Sequence, residues 1–187
     1  DAVLAKHFAG LKVDIEHQAV LLSPDCPPKG IDIGEMMRAR GLDPVAIRAR
    51  PEAEARSMGL TLALQRQPRL YPTLRAHTLI RFARPRGTQH AIARALFDAN
   101  FAGGNVDDIE TLAGIAVSHG FTPDEARHVV QDPAELGITR RAAEDAAAKG
   151  SRSVPHFVFN GAVSFMGNQS EESFIAASGP GGQNVNK

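Results

Sequence analysis

The segment of residues 153–165 constrains the fold more than any other part of this chain. Two β-type runs, residues 157–159 and 163–165, flank Asn160-Gly161. An Asn-Gly pair between two such runs is a strong signal for a β-hairpin. Pro155 stands just before the first run, where the missing backbone N–H of a proline costs little. The segment therefore predicts a hairpin near the C-terminus that is entered through a proline.

A second period-two pattern lies near the N-terminus. In residues 11–21 apolar residues alternate with polar ones, as in Val13-Asp14-Ile15-Glu16. This alternation predicts a β-strand with one buried face. Residues 22–30 contain three prolines, which remove backbone donors and end the strand. Residues 2–9 have apolar side chains at helical spacing and predict the end of a helix.

Between these two regions, residues 31–149 predict helices with clear start signals. A helix-capping side chain stands directly before a proline at Asp43-Pro44, at Thr122-Pro123 and at Asp132-Pro133. Asp and Thr are preferred N-caps, and proline is tolerated in the first turn of a helix. Ser170, followed by two glutamates, predicts the start of a last helix in the same way.

Other helices in this block are predicted from spacing and from single residues. Residues 73–84 and 88–102 predict two helices, and Asn105 predicts the cap of another. Pro51 lies inside residues 43–58. Because a proline removes a helical donor, we expect a kink there or two short helices.

Composition excludes several classes of function. Among 187 residues, 21 basic and 21 acidic residues cancel, so no net field attracts nucleic acid or a membrane surface. No apolar stretch reaches the length of about 18 residues that a transmembrane helix needs. Cys26 is the only cysteine, which fits a reducing compartment and predicts a cytoplasmic protein. The histidines show no metal-ligand spacing, so we predict no metal.

Several short segments together resemble the DsbA-like thioredoxin family, in particular its FrnE-like and 2-hydroxychromene-2-carboxylate isomerase-like branches. The segments are residues 22–30, the helix start with Thr73, Ala76 and His77, residues 95–101, and Ser153-Val154-Pro155. The resemblance covers about residues 1–177 and implies an α/β fold, a thioredoxin-like sheet with a large all-helical insertion. The first strand of that sheet is expected to be missing from this chain.

The resemblance also implies a domain organisation. Residues 1–30 and 150–177 are expected to form the thioredoxin-like domain in two segments. Residues 31–149 are expected to form the helical insertion with its connecting helix, and residues 178–187 a separate tail.

The family's catalytic residue falls outside this sequence. In the family, a Cys-x-x-Cys motif, or a Ser in the isomerase branch, lies at the start of the first helix, where the helix dipole lowers a thiol pKa. This chain contains no Cys-x-x-Cys. We expect the motif about 10–20 residues before Asp1, one strand and part of a helix away. Cys26, among prolines, is expected to be an incidental thiol.

The resemblance implies binding residues as well. The Val154-Pro155 bond is expected to be cis, and the backbone before Pro155 to pair with a thiol or disulfide peptide or with glutathione. His77 is either a buried structural histidine or a residue lining the substrate groove. Asn168 and Gln169, before the last helix, either hold the γ-glutamyl carboxylate of glutathione or form a plain capping loop.

The implied activity is thiol–disulfide oxidoreduction, with glutathione-dependent isomerisation or transfer as the alternative. In both cases glutathione would act as a cosubstrate, with no bound cofactor. A homodimer is left open, and whether the chain itself catalyses a reaction is left open too.

The last ten residues, 178–187, show a different resemblance. They are similar to the Gly-Gly-Gln signature of class I release factors and ribosome-rescue peptidyl-tRNA hydrolases, with Gly181, Gly182 and Gln183 at the motif positions. Paired glycines reach backbone angles closed to other residues. The resemblance implies a peptidyl-tRNA hydrolase fused to this chain, and the alternative is a junction without that activity. The neutral charge argues against nucleic-acid binding unless the tail continues.

Overall fold

The computed structural model describes residues 2–7, 9–10, 13–151, 153–159, 161, 163–167 and 169–178. The α-helices and β-strands of this part of the chain are α1 Ala2–His7, β1 Ile31–Asp32, α2 Ile33–Ala39, α3 Pro44–Ser57, β2 Arg69–Leu70, α4 Leu74–Phe82, α5 Gln89–Phe101, α6 Ile109–Val117, α7 Pro123–Val129, α8 Pro133–Ala148, β3 His156–Phe159, β4 Val163–Met166 and α9 Glu171–Ser178. Two short 3-10 helices, Leu64–Arg66 and Arg84–Arg86, precede β2 and α5. The protein has a mixed α/β fold, thioredoxin-like with a helical insertion.

The three cap-proline signals start helices as predicted. The Asp43 carboxylate accepts a hydrogen bond from the Val45 N–H at 2.9 Å at the start of α3. The Thr122 hydroxyl accepts from the Glu125 N–H at the start of α7, and the Asp132 carboxylate accepts from the Ala134 N–H at the start of α8. Each bond satisfies a donor that the first turn of a helix leaves free.

One helix prediction is wrong, and of the two alternatives expected at Pro51, two short helices are excluded while a kink stays a prediction. Asp108, not Asn105, caps α6, because its carboxylate accepts from the Thr111 N–H at 2.8 Å. The Asn105 side chain accepts instead from the Asp107 N–H at 3.0 Å and shapes the preceding turn. Pro51 does not divide α3, which runs unbroken from Pro44 to Ser57. A proline removes a single donor, and the rest of the helical hydrogen bonds continue on both sides of it.

Replacing Asp108 with alanine is expected to lower the free energy of unfolding by about 1 kcal/mol, the typical cost of losing an N-cap. Glu144→Ala on the exposed face of α8 leaves the α6 cap in place and is the control, with an expected change of at most about 0.5 kcal/mol. Urea denaturation followed by circular dichroism measures both. Equal losses in the two variants would contradict the assignment of the cap to Asp108.

The strand predicted for residues 11–21 does not form in the described part, residues 13–21. That segment belongs to neither sheet. Burial still alternates along it, with Ile15, His17 and Ala19 half-buried between exposed polar residues. The period-two pattern correctly indicates which side chains face the protein. A β-strand, however, also needs a neighbouring strand to which its backbone N–H and C=O groups can hydrogen-bond. At His17 the backbone N–H and C=O groups hydrogen-bond instead to the side chain of Gln89 in α5.

A short antiparallel pair within residues 31–149 was not predicted. β1 and β2 pair with Ile31 opposite Leu70 and Asp32 opposite Arg69. Two residues per strand are too few for a readable alternation of burial. The pair ties the proline-rich loop to the chain segment that leads into α4.

The C-terminal hairpin forms as predicted. β3 and β4 are antiparallel, with Phe157 opposite Phe165 and Phe159 opposite Val163. The ring of Phe174 in α9 packs edge-on against Phe157 and Phe159, with centroids 4.7 and 5.6 Å apart. α1 packs on α9, and Lys6 pairs with Glu171 at 2.8 Å. The aromatic cluster therefore joins the hairpin to α9, and α1 packs on the same helix from the other end of the chain.

The main hydrophobic core lies among α4, α5, α6 and α7. The largest side chains buried there without solvent contact include Leu79, Ile92, Leu112 and Val129. α8 packs along α4. In the described part of the chain no helix is both long and apolar enough to cross a bilayer. The domain boundaries at residues 30 and 150 remain a prediction.

Candidate functional site

The backbone that leads into β3 is exposed. The Val154–Pro155 peptide bond is cis, and Ser153, Val154 and Pro155 all face solvent. The Pro155 carbonyl accepts a hydrogen bond from the Gly167 N–H at 2.8 Å. This bond fixes the entry segment against the end of β4 and leaves the side chains of residues 153–155 on the surface.

Beside this segment one edge of β3 is open among the described residues, since no strand there pairs with it. Within the described residues β3 pairs with β4 alone, so the backbone groups on its other side face away from the hairpin. An exposed sheet edge can pair with an incoming extended chain. The side chain of His156, the first residue of β3, is half-buried. The His156 Nδ1 atom lies 2.7 Å from the Ser151 hydroxyl.

The turn between β4 and α9 contains the predicted residue Gln169. Its side-chain amide donates to the Met166 carbonyl at 3.0 Å, and the side chain is half-buried. The Ser170 hydroxyl accepts from the Ser173 N–H at 3.2 Å and caps the helix. Gln169 therefore closes the turn after β4. Asn168 lies outside the described residues, as do Gly181, Gly182 and Gln183 of the tail.

His77 lies on α4 and contacts the N-terminal segment. It is half-buried and hydrogen-bonded to the backbone of Val20. Burial lowers the pKa of its imidazole below the ordinary value, because a buried site disfavours the charged form, while the bond to Val20 opposes this effect. His77 is thus an interior histidine that also lines a cavity, and its role in a substrate groove stays a prediction.

That cavity has a volume of about 420 Å³ and lies between residues 16–19, α4 and α8. A cavity of this size is within the range of small-molecule sites. Polar side chains in its wall include His17, His77, Arg81, Thr139, Asp145 and Lys149. The wall continues towards the hairpin entry through Ser151, whose N–H donates to the Ala146 carbonyl at 2.9 Å and whose hydroxyl lies 2.7 Å from His156 Nδ1.

Thr139 of α8 lies in the cavity wall, where its hydroxyl hydrogen-bonds to side chains of α4. It is fully buried, and its hydroxyl lies 2.9 Å from that of Thr78 in α4. Arg81 donates from Nε to the same Thr139 hydroxyl at 3.1 Å and forms an ion pair with Glu135. These bonds hold α4 and α8 together and fix the Arg81 side chain along the wall.

Sequence reasoning missed the contacts of the N-terminal segment with α5. Gln89 is only 4% exposed. Its side chain accepts from the His17 N–H at 2.9 Å and donates to the His17 carbonyl at 3.3 Å. The sequence holds one signal for these contacts, because Gln89 lies at helical spacing from Ile92, Ala93 and Leu96. A polar side chain on a buried helix face needs a hydrogen-bond partner.

Two histidine rings meet beside these bonds. The Nε2 atom of His17 lies 2.9 Å from the Nδ1 atom of His90. The ring centroids lie 5.2 Å apart and the planes are inclined by 21°, so that the two rings meet edge to edge through these nitrogens. Burial lowers the pKa of both imidazoles, and the second ring adds to this effect at His17. The pair is therefore held in a state with fewer protons than free histidines carry.

Cys26 is not arranged as a nucleophile. It is 9% exposed, and its sulfur lies 3.4 Å from the Leu70 carbonyl. Burial raises the pKa of the thiol, and the charge of Asp107 raises it further. A thiolate attacks disulfides, whereas a thiol does not, so this side chain serves packing. In the part of the chain that the structure describes, no three His, Cys, Asp or Glu residues are grouped to hold a metal ion.

Comparisons with known proteins agree with this architecture. Residues 2–177 match the DSBA-like thioredoxin domain. A crystal structure of a probable DsbA oxidoreductase from Streptomyces coelicolor superposes with a TM-score of 0.76, and 26% of the residues are identical. The match covers 100% of this chain and 84% of the other. No curated protein sequence matches. The chain belongs to the family of DsbA-like thioredoxin domains.

Proposed function

We propose that this chain supplies the substrate-binding part of a FrnE-like thiol–disulfide oxidoreductase. Its substrate is an extended peptide that carries a thiol or a disulfide, or glutathione. The observation that carries this proposal is the exposed segment Ser153–Pro155 beside the open edge of β3. A bound chain can pair there by adding a strand, so that main-chain hydrogen bonds supply affinity for many sequences.

The proposal gives Cys26 no part in the chemistry. Thiol–disulfide exchange starts from a thiolate, and the rate depends on the thiolate fraction and on access to the sulfur. Burial and the nearby Asp107 both act against a thiolate at Cys26. Cys26→Ser is therefore expected to bind glutathione as the unchanged chain does. The lone cysteine also supports a cytoplasmic location, where thiols stay reduced.

A glutathione-dependent isomerase or transferase is the second candidate. It is favoured by the start of α9, where the half-buried Gln169 and the capping Ser170 precede two glutamates. A helix N-terminus can hold a carboxylate such as that of a γ-glutamyl group. The two glutamates of the first turn oppose an anion there, which is why we rank this function second.

The tail motif at Gly181–Gln183 remains a prediction.

Replacing Pro155 with alanine tests the proposed site. The proline fixes φ and lacks an N–H, so the alanine frees the entry segment and adds a donor beside the β3 edge. We expect binding of oxidised glutathione, and of a disulfide-containing peptide, to weaken by about tenfold, which corresponds to 1.4 kcal/mol. Isothermal titration calorimetry measures both ligands.

Pro44→Ala is the matched control. Pro44 occupies the first turn of α3, away from the hairpin, and binding should stay as in the unchanged chain. If Pro155→Ala binds both ligands as tightly as this control, the hairpin entry is not the binding site. Weakened binding of glutathione alone would favour the second candidate over the oxidoreductase.

A further inference from the structure

The cavity between residues 16–19, α4 and α8 has no part in the function proposed above. Its volume is about 420 Å³, and its lining is mostly apolar. The apolar part of the wall includes Ile80, Pro85, Ala142 and Ala146. Small-molecule sites combine such a lining with a few polar groups that orient the ligand. The polar groups of this wall that are not already bound within the fold therefore indicate the chemistry of a ligand.

The arginines of the wall are already paired with carboxylates. Arg81 forms an ion pair with Glu135, and Arg84 forms one with Asp14. Glu16, which also lines the cavity, lies 3.9 Å from the Arg84 guanidinium. A ligand that binds one of these side chains must compete with the opposite charge that is already there.

Most of the uncharged polar side chains of the wall also have partners. Gln89 bonds both backbone groups of His17. The Thr139 hydroxyl contacts two side chains of α4, and His77 is hydrogen-bonded to the backbone of Val20. These bonds join the elements that surround the cavity, so the groups that make them are not available to orient a ligand.

Asp145 and Lys149 are the charged residues of the wall that form no ion pair in the described part of the chain. Asp145 lies in the last turn of α8, and Lys149 is the C-cap residue of that helix. Residues four positions apart lie on the same face of a helix, with Cβ atoms about 5–6 Å apart. A carboxylate and an ammonium group therefore stand side by side at the cavity.

We propose that this cavity binds the zwitterion of an α-amino acid. The ammonium group of the ligand donates to the Asp145 carboxylate, and the carboxylate of the ligand accepts from the Lys149 ammonium group. An α-carbon carries both charges close together, which matches two side chains one helical turn apart. An apolar ligand side chain contacts Ile80, Ala142 and Ala146. None of these residues belongs to the hairpin entry, so the proposal does not rest on the function proposed above.

Titration of the full chain with L-leucine tests the recognition of both charges. L-Leucinamide lacks the carboxylate, and N-acetyl-L-leucine lacks the ammonium group. Because hydrogen bonds to charged groups are stronger than those between neutral groups, we expect each analogue to bind at least about tenfold more weakly than L-leucine. Isothermal titration calorimetry measures all three. Equal affinity for the three compounds overturns the proposal.

Variants of the two charged residues locate the site. Asp145→Asn and Lys149→Gln are each expected to weaken L-leucine binding by about tenfold. Asp145→Asn should leave the weak binding of N-acetyl-L-leucine unchanged, because that compound has no ammonium group. Glu144→Gln is the control, since Glu144 is an exposed residue of α8 outside the wall. If both variants bind L-leucine as tightly as the control, the proposal is overturned.

Ala142→Leu tests the cavity without a change in charge. Ala142 is an exposed residue of the wall, so the larger side chain extends into the cavity and leaves the buried core as it is. We expect L-leucine binding to fall by at least about tenfold, with an unchanged midpoint of thermal unfolding. Unchanged binding means that the ligand lies outside the cavity, and the proposal is overturned.

Reduced glutathione distinguishes two sources of the same group, because its γ-glutamyl end is also an α-amino acid zwitterion. Tighter binding of glutathione than of L-leucine, with a loss in Asp145→Asn and Lys149→Gln, assigns the site to the γ-glutamyl group. Tighter binding of L-leucine assigns it to a free amino acid. Glutathione bound at the hairpin entry responds instead to Pro155→Ala alone. If glutathione behaves so and L-leucine does not bind, this proposal is overturned and the function proposed above stands.

Discussion

Replacing Leu79 with alanine is expected to lower the free energy of unfolding by about 2–5 kcal/mol. The side chain of Leu79 is fully buried in the core that α4 forms with α5, α6 and α7. Truncation removes the transfer free energy of the lost methyl groups and leaves a cavity that a close-packed interior fills incompletely. Because domains are typically only marginally stable, this change removes a large part of the total free energy of unfolding.

Urea denaturation followed by far-UV circular dichroism measures the change. Val45→Ala is the matched control, because Val45 lies on α3 with 74% of its surface exposed. Its expected effect is within about 0.5 kcal/mol. Similar losses at both positions would mean that the core does not lie between α4 and the helices that follow it.

Replacing Gly103 with alanine is expected to lower the free energy of unfolding by about 2–5 kcal/mol. Gly103 has a φ of +93°, and a Cβ atom built there would lie 2.2 Å from the Arg66 carbonyl oxygen. The left-handed backbone alone costs an L-residue about 1–2 kcal/mol. The clash is with a backbone atom and not with the end of a flexible side chain, so it adds an overpacking cost of about 1–3 kcal/mol.

Gly87→Ala isolates the backbone contribution. Gly87 also has a positive φ, +71°, but an added Cβ atom meets nothing within 4 Å. We expect it to lose about 1–2 kcal/mol, clearly less than Gly103→Ala in the same urea titration. Equal losses would show that the segment around Arg66 moves aside at no cost, and that the contact between this segment and the end of α5 does not restrain the fold.

Local signals predicted the helix starts well and failed where two signals competed. Asp43, Thr122 and Asp132 each stand directly before a proline, so only one residue can be the cap. Before α6, both Asn105 and Asp108 are suitable cap residues, and their preferences are similar. Asp108 is the cap because Asn105 is engaged in the preceding turn with Asp107. Such competition is resolved only by the three-dimensional course of the chain.

The candidate site likewise combines features that a local pattern predicts with contacts that no local pattern predicts. The exposed entry at Val154–Pro155 follows from the proline before a hairpin signal, which is a local pattern. The pairing of Gln89 with His17 joins residues 72 positions apart, and the neighbouring contact between His17 and His90 joins residues 73 positions apart. No periodicity in either segment encodes such a pair, and a buried glutamine indicates only that some partner exists.

By itself, the sequence determined the helices with single caps, the C-terminal hairpin, and the family resemblance that residues 2–177 bear out. These features rest on interactions within a few residues, which propensity and capping chemistry describe. Only the tertiary structure decided that residues 13–21 are not a strand. Strand pairing and side-chain contacts depend on which distant segments meet, and that is set by packing of the whole chain.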